Sequence, residues 1–124
     1  MYEILSLKGP LVVGPDDKDK IRQEFQDRVN MAPGELEAWL KTDESRSVGD
    51  TSGSKAESTG HKSGRRIIEI KRKNKEELDD SDYQHMRKVI NYLKRHLAQQ
   101  PGGDVEDAKW RYSLMNWGHD PLRD

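Results

Sequence analysis

Apolar residues recur along this chain at three- and four-residue intervals, the repeat of a helix. Asp16 and Asp17 open a first helix in which Ile21, Phe25 and Val29 form one narrow apolar stripe at i, i+4, i+8. Pro33 suits the first turn of a short second helix with Leu36, Trp39 and Leu40 facing inward, and Met31-Ala32 makes the corner between the two. A third helix is predicted from Gly64 to Asn74, with Ser63 as its N-cap and Ile67, Ile70 and Asn74 on one face. The fourth is the clearest: Asp80 or Ser81 caps it, Tyr83, Met86, Ile90, Leu93 and Leu97 follow, Val89 widens the stripe, and Pro101-Gly102-Gly103 ends it. A fifth runs from about Val105 to Asn116 behind an Asp104 cap, with Trp110, Leu114 and Trp117 inward and Gly118 as a left-handed stop.

The pattern therefore predicts an all-α domain over 16–124, a small bundle that begins with a helical hairpin. Between Thr42 and Gly60 nearly every residue is Ser, Thr, Gly or charged, which predicts a mobile loop with Val48 as its one apolar anchor. Residues 1–15 read as an N-terminal extension. They are mildly apolar but lack a basic start and are interrupted by Glu3, Lys8 and Pro10, unlike a signal peptide.

Composition sharpens this. Only 31% of the 124 residues are hydrophobic and 36% are charged, so the core is thin for its length. The absence of cysteine excludes disulfides, thiolate metal ligands and a thiol nucleophile, and with the lack of an apolar membrane span it suggests an intracellular protein without membrane partners. The net charge of −1 conceals a strong asymmetry: 61–75 carries +6, 83–100 carries +4, and the remainder carries −11. Charge separated in this way points to an anionic partner, against the plainer reading of a salt-bridged helical surface.

The segment Ser63-Gly64-Arg65-Arg66 concentrates that suggestion. A helix start carries partial positive charge and favours Asp or Glu, so two arginines there cost roughly 0.3–1 kcal/mol each unless an anion sits on them. Read as a helix N-terminus flanked by arginine, it is a phosphate site. Lys62, Ser63, Gly64, Arg65, Arg66, Arg72, Lys73, Lys88 and Arg95 are the side chains and backbone expected to meet phosphate. The hairpin itself exposes Asp19, Asp27, Glu35 and Glu37 and is not expected to do so.

The run Trp110-Arg111-Tyr112-Ser113-Leu114-Met115-Asn116-Trp117-Gly118-His119-Asp120-Pro121-Leu122 resembles the closing signature of a small domain family of unknown function found in bacteria and fungi. Val29-Asn30-Met31, Glu35 to Leu40, Ser47-Val48-Gly49, Ser63 to Ile67 and His85 to Val89 agree with it, so the resemblance covers roughly residues 18–123. Some members of that family are labelled DNA-binding. It offers no catalytic residue to carry over.

Phosphate recognition needs Lys and Arg together with other hydrogen-bond donors, and the third and fourth helices supply both. The expected function is thus non-enzymatic, backbone-directed binding of nucleic acid, DNA in the first instance, with a protein-interaction module as the alternative. No cofactor, metal or catalytic residue is expected. His61, His85, His96 and His119 are the only imidazoles. His85 and His96 stand about 16 Å apart along one helix, too far to share a metal, and read as surface residues.

Overall fold

Residues 15–48 and 59–123 are described by the computed structural model, and every regular element among them is helical. Helix α1 spans Pro15–Arg28, α2 Pro33–Leu40, α3 Asp43–Arg46, α4 Thr59–Arg72, α5 Asp80–Leu97 and α6 Lys109–Asn116, with a short 3-10 turn at Lys75–Glu77. The extension before Pro15 and the middle of the expected loop lie outside the described residues.

Helix α1 packs chiefly on α5, and α2 on α4, while α6 touches α2, α3, α4 and α5. This hub position explains why the shortest aromatic-rich segment carries so much of the core. Leu114 is completely buried, Trp117 nearly so, and the Trp110 indole N–H donates to the His96 carbonyl at 2.7 Å, tying α6 to the last turn of α5. Most of the predicted stripes are buried: Phe25 on α1 and Val29 just beyond it, Leu36 and Leu40 on α2, Ile67 and Ile70 on α4, and Tyr83, Met86, Val89, Ile90 and Leu93 on α5, with Ile21, Trp39 and Leu97 partly buried at their edges. Each such side chain contributes about 1.5–3 kcal/mol on burial.

Polar contacts then fix the corners. The Lys71 ammonium donates to the Val29 and Met31 carbonyls at 2.8 and 3.3 Å, pinning α4 to the α1–α2 turn. Burial lowers the pKa of that ammonium. After α6, Gly118 has a φ of 83° and its carbonyl accepts from the Met31 amide at 3.1 Å. A Cβ there would also lie 2.7 Å from a Val29 methyl. His119 Nδ1 bonds the Arg28 carbonyl at 2.6 Å, and Arg111 holds Asp120 through two nitrogens at 3.1 Å each. The His119-Asp120 pair thus closes the C-terminal turn.

Four boundaries depart from the sequence reading. Helix α4 begins at Thr59, so Ser63 is an interior residue and not an N-cap. Gly60 and Gly64 look like helix breakers, at roughly 1 kcal/mol each relative to Ala, yet both lie against α6. A Cβ on Gly64 would stand 2.7 Å from the Asn116 carbonyl oxygen, so close helix packing overrides local propensity. The segment Thr42–Gly60 is not all loop: Thr42 accepts from the Ser45 amide at 3.1 Å and caps α3, while Ser45 and Val48 are buried. Helix α5 starts behind Asp79, whose carboxylate accepts from the Asp82 amide at 2.9 Å. Helix α6 starts at Lys109; Asp104 instead accepts from the Glu106 amide at 3.0 Å in a turn.

Candidate anion site between α4 and α5

Helices α4 and α5 enclose a shallow depression of about 490 Å³ lined by Lys62, Ser63, Arg65, Arg66, Glu69, His85 and Lys88. Four cations from two helices thus share a hollow with a single carboxylate. Neither Lys62 nor Lys88 has a carboxylate partner among the described residues. Ser63 is only 3% exposed, and its hydroxyl lies 3.1 Å from His85 Nε2. The half-buried imidazole stacks on Trp117, with ring centres 6.5 Å apart and planes 7° from parallel, which fixes its plane. Burial lowers the His85 pKa, and the Arg66 and Lys88 charges lower it further, while the Ser63 main chain and Asp82 pull the other way.

Arg66 is held in place from behind. Its guanidinium donates to Asp82 at 2.8 Å and to the Ser81 hydroxyl at 2.9 Å. Lys73 reaches the other Asp82 oxygen at 2.8 Å, and the Asp79 amide donates to that same oxygen at 3.1 Å. Burial raises the pKa of the Asp82 carboxyl, but the Lys73 and Asp79 hydrogen bonds outweigh it and hold the group below the ordinary carboxylate range. With its carboxylate 1% exposed, Asp82 is the buried anchor of two surface cations.

The nine residues expected to meet phosphate divide accordingly. Lys62, Ser63, Arg65, Arg66 and Lys88 come together in the depression. Arg95 lies two turns beyond Lys88 on α5, about 10.5 Å along the axis. Lys73 is turned to Asp82, and Arg72 pairs with Glu37 at 3.4 Å. Gly64 faces Asn116 and Leu40 on the far side of α4, so its role is close packing, not phosphate contact. Because α4 starts four residues before Ser63, the amides of 63–66 already serve intrahelical bonds, and the expected array of free helix-start donors is not available there. His85 and His96, expected on the surface, are half-buried. His85 joins the hollow, and His96 is stacked on Tyr92 at 5.2 Å. The sequence signal that finds His85 is its place in the row Ser81, His85, Lys88, Tyr92, Arg95 along one side of α5.

A second serine–histidine pair lies nearby and has a different environment. Ser45 Oγ stands 2.9 Å from His61 Nε2 and donates to Asn116 Oδ1 at 2.5 Å. The Trp39 indole N–H, which can only donate, reaches the same Oδ1 at 2.7 Å and so sets the orientation of the amide. With the single Ser45 proton committed to Asn116, His61 Nε2 donates to Ser45 and is no base for it. Ser45 is also wholly buried, so the pair is structural. Among the described residues, no three His, Asp or Glu side chains converge as a metal site requires, and no helix is long and apolar enough to cross a membrane.

Comparison with known proteins adds one finding. Residues 24–115 match the model of DUF3140, a family described as a protein of unknown function, and the chain belongs to that family. The matched span ends inside the Trp110–Leu122 run. No curated protein and no solved structure matches the chain.

Proposed function

We propose that the chain binds the phosphate backbone of nucleic acid, DNA in the first instance, through the α4–α5 depression. The observation that carries this reading is the convergence of Lys62, Arg65, Arg66 and Lys88 on one hollow beside a single carboxylate, Glu69. Arg95 extends the same side of α5. The DNA-binding label on some members of the family it resembles points the same way. The contacts are side-chain contacts, since the helix-start amides lie elsewhere, and they fix position on the backbone without reading base identity. Asp82 supports the site by holding Arg66 at the edge of the hollow.

The test is a titration with duplex DNA, single-stranded DNA and RNA at two salt concentrations. Each neutralised phosphate adds about −0.9 to the slope of log affinity against log salt on a duplex, so engaging about three gives a slope on the order of −3. Lys62→Glu combined with Lys88→Glu should remove the binding and leave the fold intact. Affinity insensitive to salt, or unaffected by the double variant, would overturn the proposal in favour of a protein-interaction module.

A further inference from the structure

We infer that His85 is itself a ligand of the α4–α5 site, and that seating a phosphodiester there takes up a proton on its imidazole. The inference rests on the reading that the hollow receives phosphate, and it adds the group that tunes the affinity. His85 lines the hollow with its ring held against Trp117 and its Nε2 3.1 Å from the Ser63 hydroxyl, so it cannot swing away without losing both contacts. From α4 it faces Lys62, Arg65 and Arg66, with Glu69 as the opposing charge; from α5 it faces Lys88 and Asp82; from α6 only the uncharged Trp117.

In the free protein burial disfavours the charged ring, and the Arg66 and Lys88 charges act in the same direction. A phosphodiester placed among those cations reverses the sign of the local field. The protonated ring then gains an anion to bond, and Nε2 becomes a donor in place of one of the two roles open to it in the neutral form. A group that is easier to protonate in the complex than in the free protein makes binding tighten as pH falls between the two pKa values. Phosphodiesters do not titrate in that range, so any proton taken up belongs to the protein.

The experiment measures binding of a short duplex DNA at constant ionic strength at about pH 8 and about pH 5.5, on either side of the ordinary imidazole value of about 6.5. NMR follows the His85 ring with and without DNA. The wild type is expected to bind about 3–10-fold tighter at the lower pH, and the His85 midpoint should rise on adding DNA. His85→Gln should bind with the same affinity at both pH values, whatever that affinity is. Equal His85 midpoints in free and bound wild type would overturn the inference, and that readout stands even if the variant fails to fold. An unchanged pH dependence in a folded His85→Gln would overturn it as well. If DNA binds with no pH dependence, this inference alone falls; if DNA does not bind at either pH, the function proposed above falls with it.

Discussion

His61 and Ser63 stand two residues apart on α4, about 200° around the helix, and each completes a serine–histidine pair of nearly the same length. On one side, Ser45 and His61 are closed in by Asn116 and Trp39, and every polar atom of the Asn116 side chain is committed. On the other side, Ser63 and His85 open onto a hollow ringed by cations. The same two side chains therefore serve as a knot in one setting and as the floor of a candidate site in the other. What differs is the third neighbour: a neutral amide that consumes the protons, or a set of charges that calls for an anion.

The closed side should be the more costly to disturb. Asn116→Ala strips partners from the Trp39 indole, the Ser45 hydroxyl and the Ser45 carbonyl at once. Stranded buried polar groups cost about 1–3 kcal/mol each, so a total loss of about 3–5 kcal/mol is expected in urea denaturation. A loss below about 1 kcal/mol would mean that Ser45 and Trp39 find other partners, and the contrast between the two pairs would weaken. Nucleic-acid binding by the folded fraction should not change.

Gly64→Ala probes how α4 separates the two sides. The added methyl would lie 2.7 Å from the Asn116 backbone oxygen and 2.9 Å from a Leu40 methyl, and the oxygen cannot move without shifting the end of α6. Overpacking costs about 1–3 kcal/mol, against which the better helix propensity of alanine returns about 1 kcal/mol. A net loss of up to about 2 kcal/mol in thermal melts is expected. A stabilised variant would mean that α4 is free to slide, and that its two glycines do not set its distance from α6.

These two positions also show what was legible in the sequence. The apolar repeats of α1, α2, α4 and α5 are visible because each helix buries one stripe, and the period of that stripe does not depend on its partner. The start of α4 was not visible. Thr59-Gly60-His61-Lys62-Ser63 has the composition of a loop, and only the approach of Asn116 and Trp117, more than fifty residues away, turns its glycines into contact surface. A start at Gly64 misplaces the donors too, since it makes Ser63 a cap and sets Arg65 and Arg66 in a first turn that lies elsewhere. Five of the nine expected phosphate contacts nevertheless share a hollow, because charge spacing on α4 and α5 survives a shift in the helix boundary. The Asp82 anchor was hidden for another reason: it lies within a run of acids, and burial alone distinguishes it from them.

Acidification should act in two stages, through different groups. His85 and His96 both have pKa values lowered by burial, so the unfolded chain binds protons more readily than the folded one. Their contribution is present above about pH 6.5, the ordinary imidazole value, and is lost as pH falls through the lower folded values. Asp82 and Asp120 also titrate below their ordinary range: burial raises each pKa, but hydrogen bonds from Lys73 to Asp82 and from Arg111 to Asp120 outweigh it. Their contribution persists to about pH 4 and is then lost as pH falls further. Denaturation curves collected across this range should show two descending steps, with the upper one reduced in His85→Gln. A flat profile from about pH 7 to about pH 5 would place the histidines in water in the folded state.

The smallest effect on stability, and the sharpest on function, is expected at Lys88. Its side chain is exposed and has no carboxylate partner among the described residues, so Lys88→Glu should change stability by no more than about 0.5 kcal/mol. Arg66→Glu would be a poor substitute, since it would set a new carboxylate against the buried Asp82 and confuse folding with binding. If the hollow holds phosphate, Lys88→Glu removes one contact and adds a repulsion, weakening DNA binding at least about tenfold and reducing the salt slope by about one. Lys94→Glu is the matched control: Lys94 sits on the α1 side of the same helix, 3.5 Å from Glu24, and the same change of charge there should weaken binding far less. Equal losses from the two variants would show that net charge alone drives association and that the α4–α5 hollow is no site. A loss confined to Lys88 would locate the anion on the side of α4 that Ser63 and His85 share.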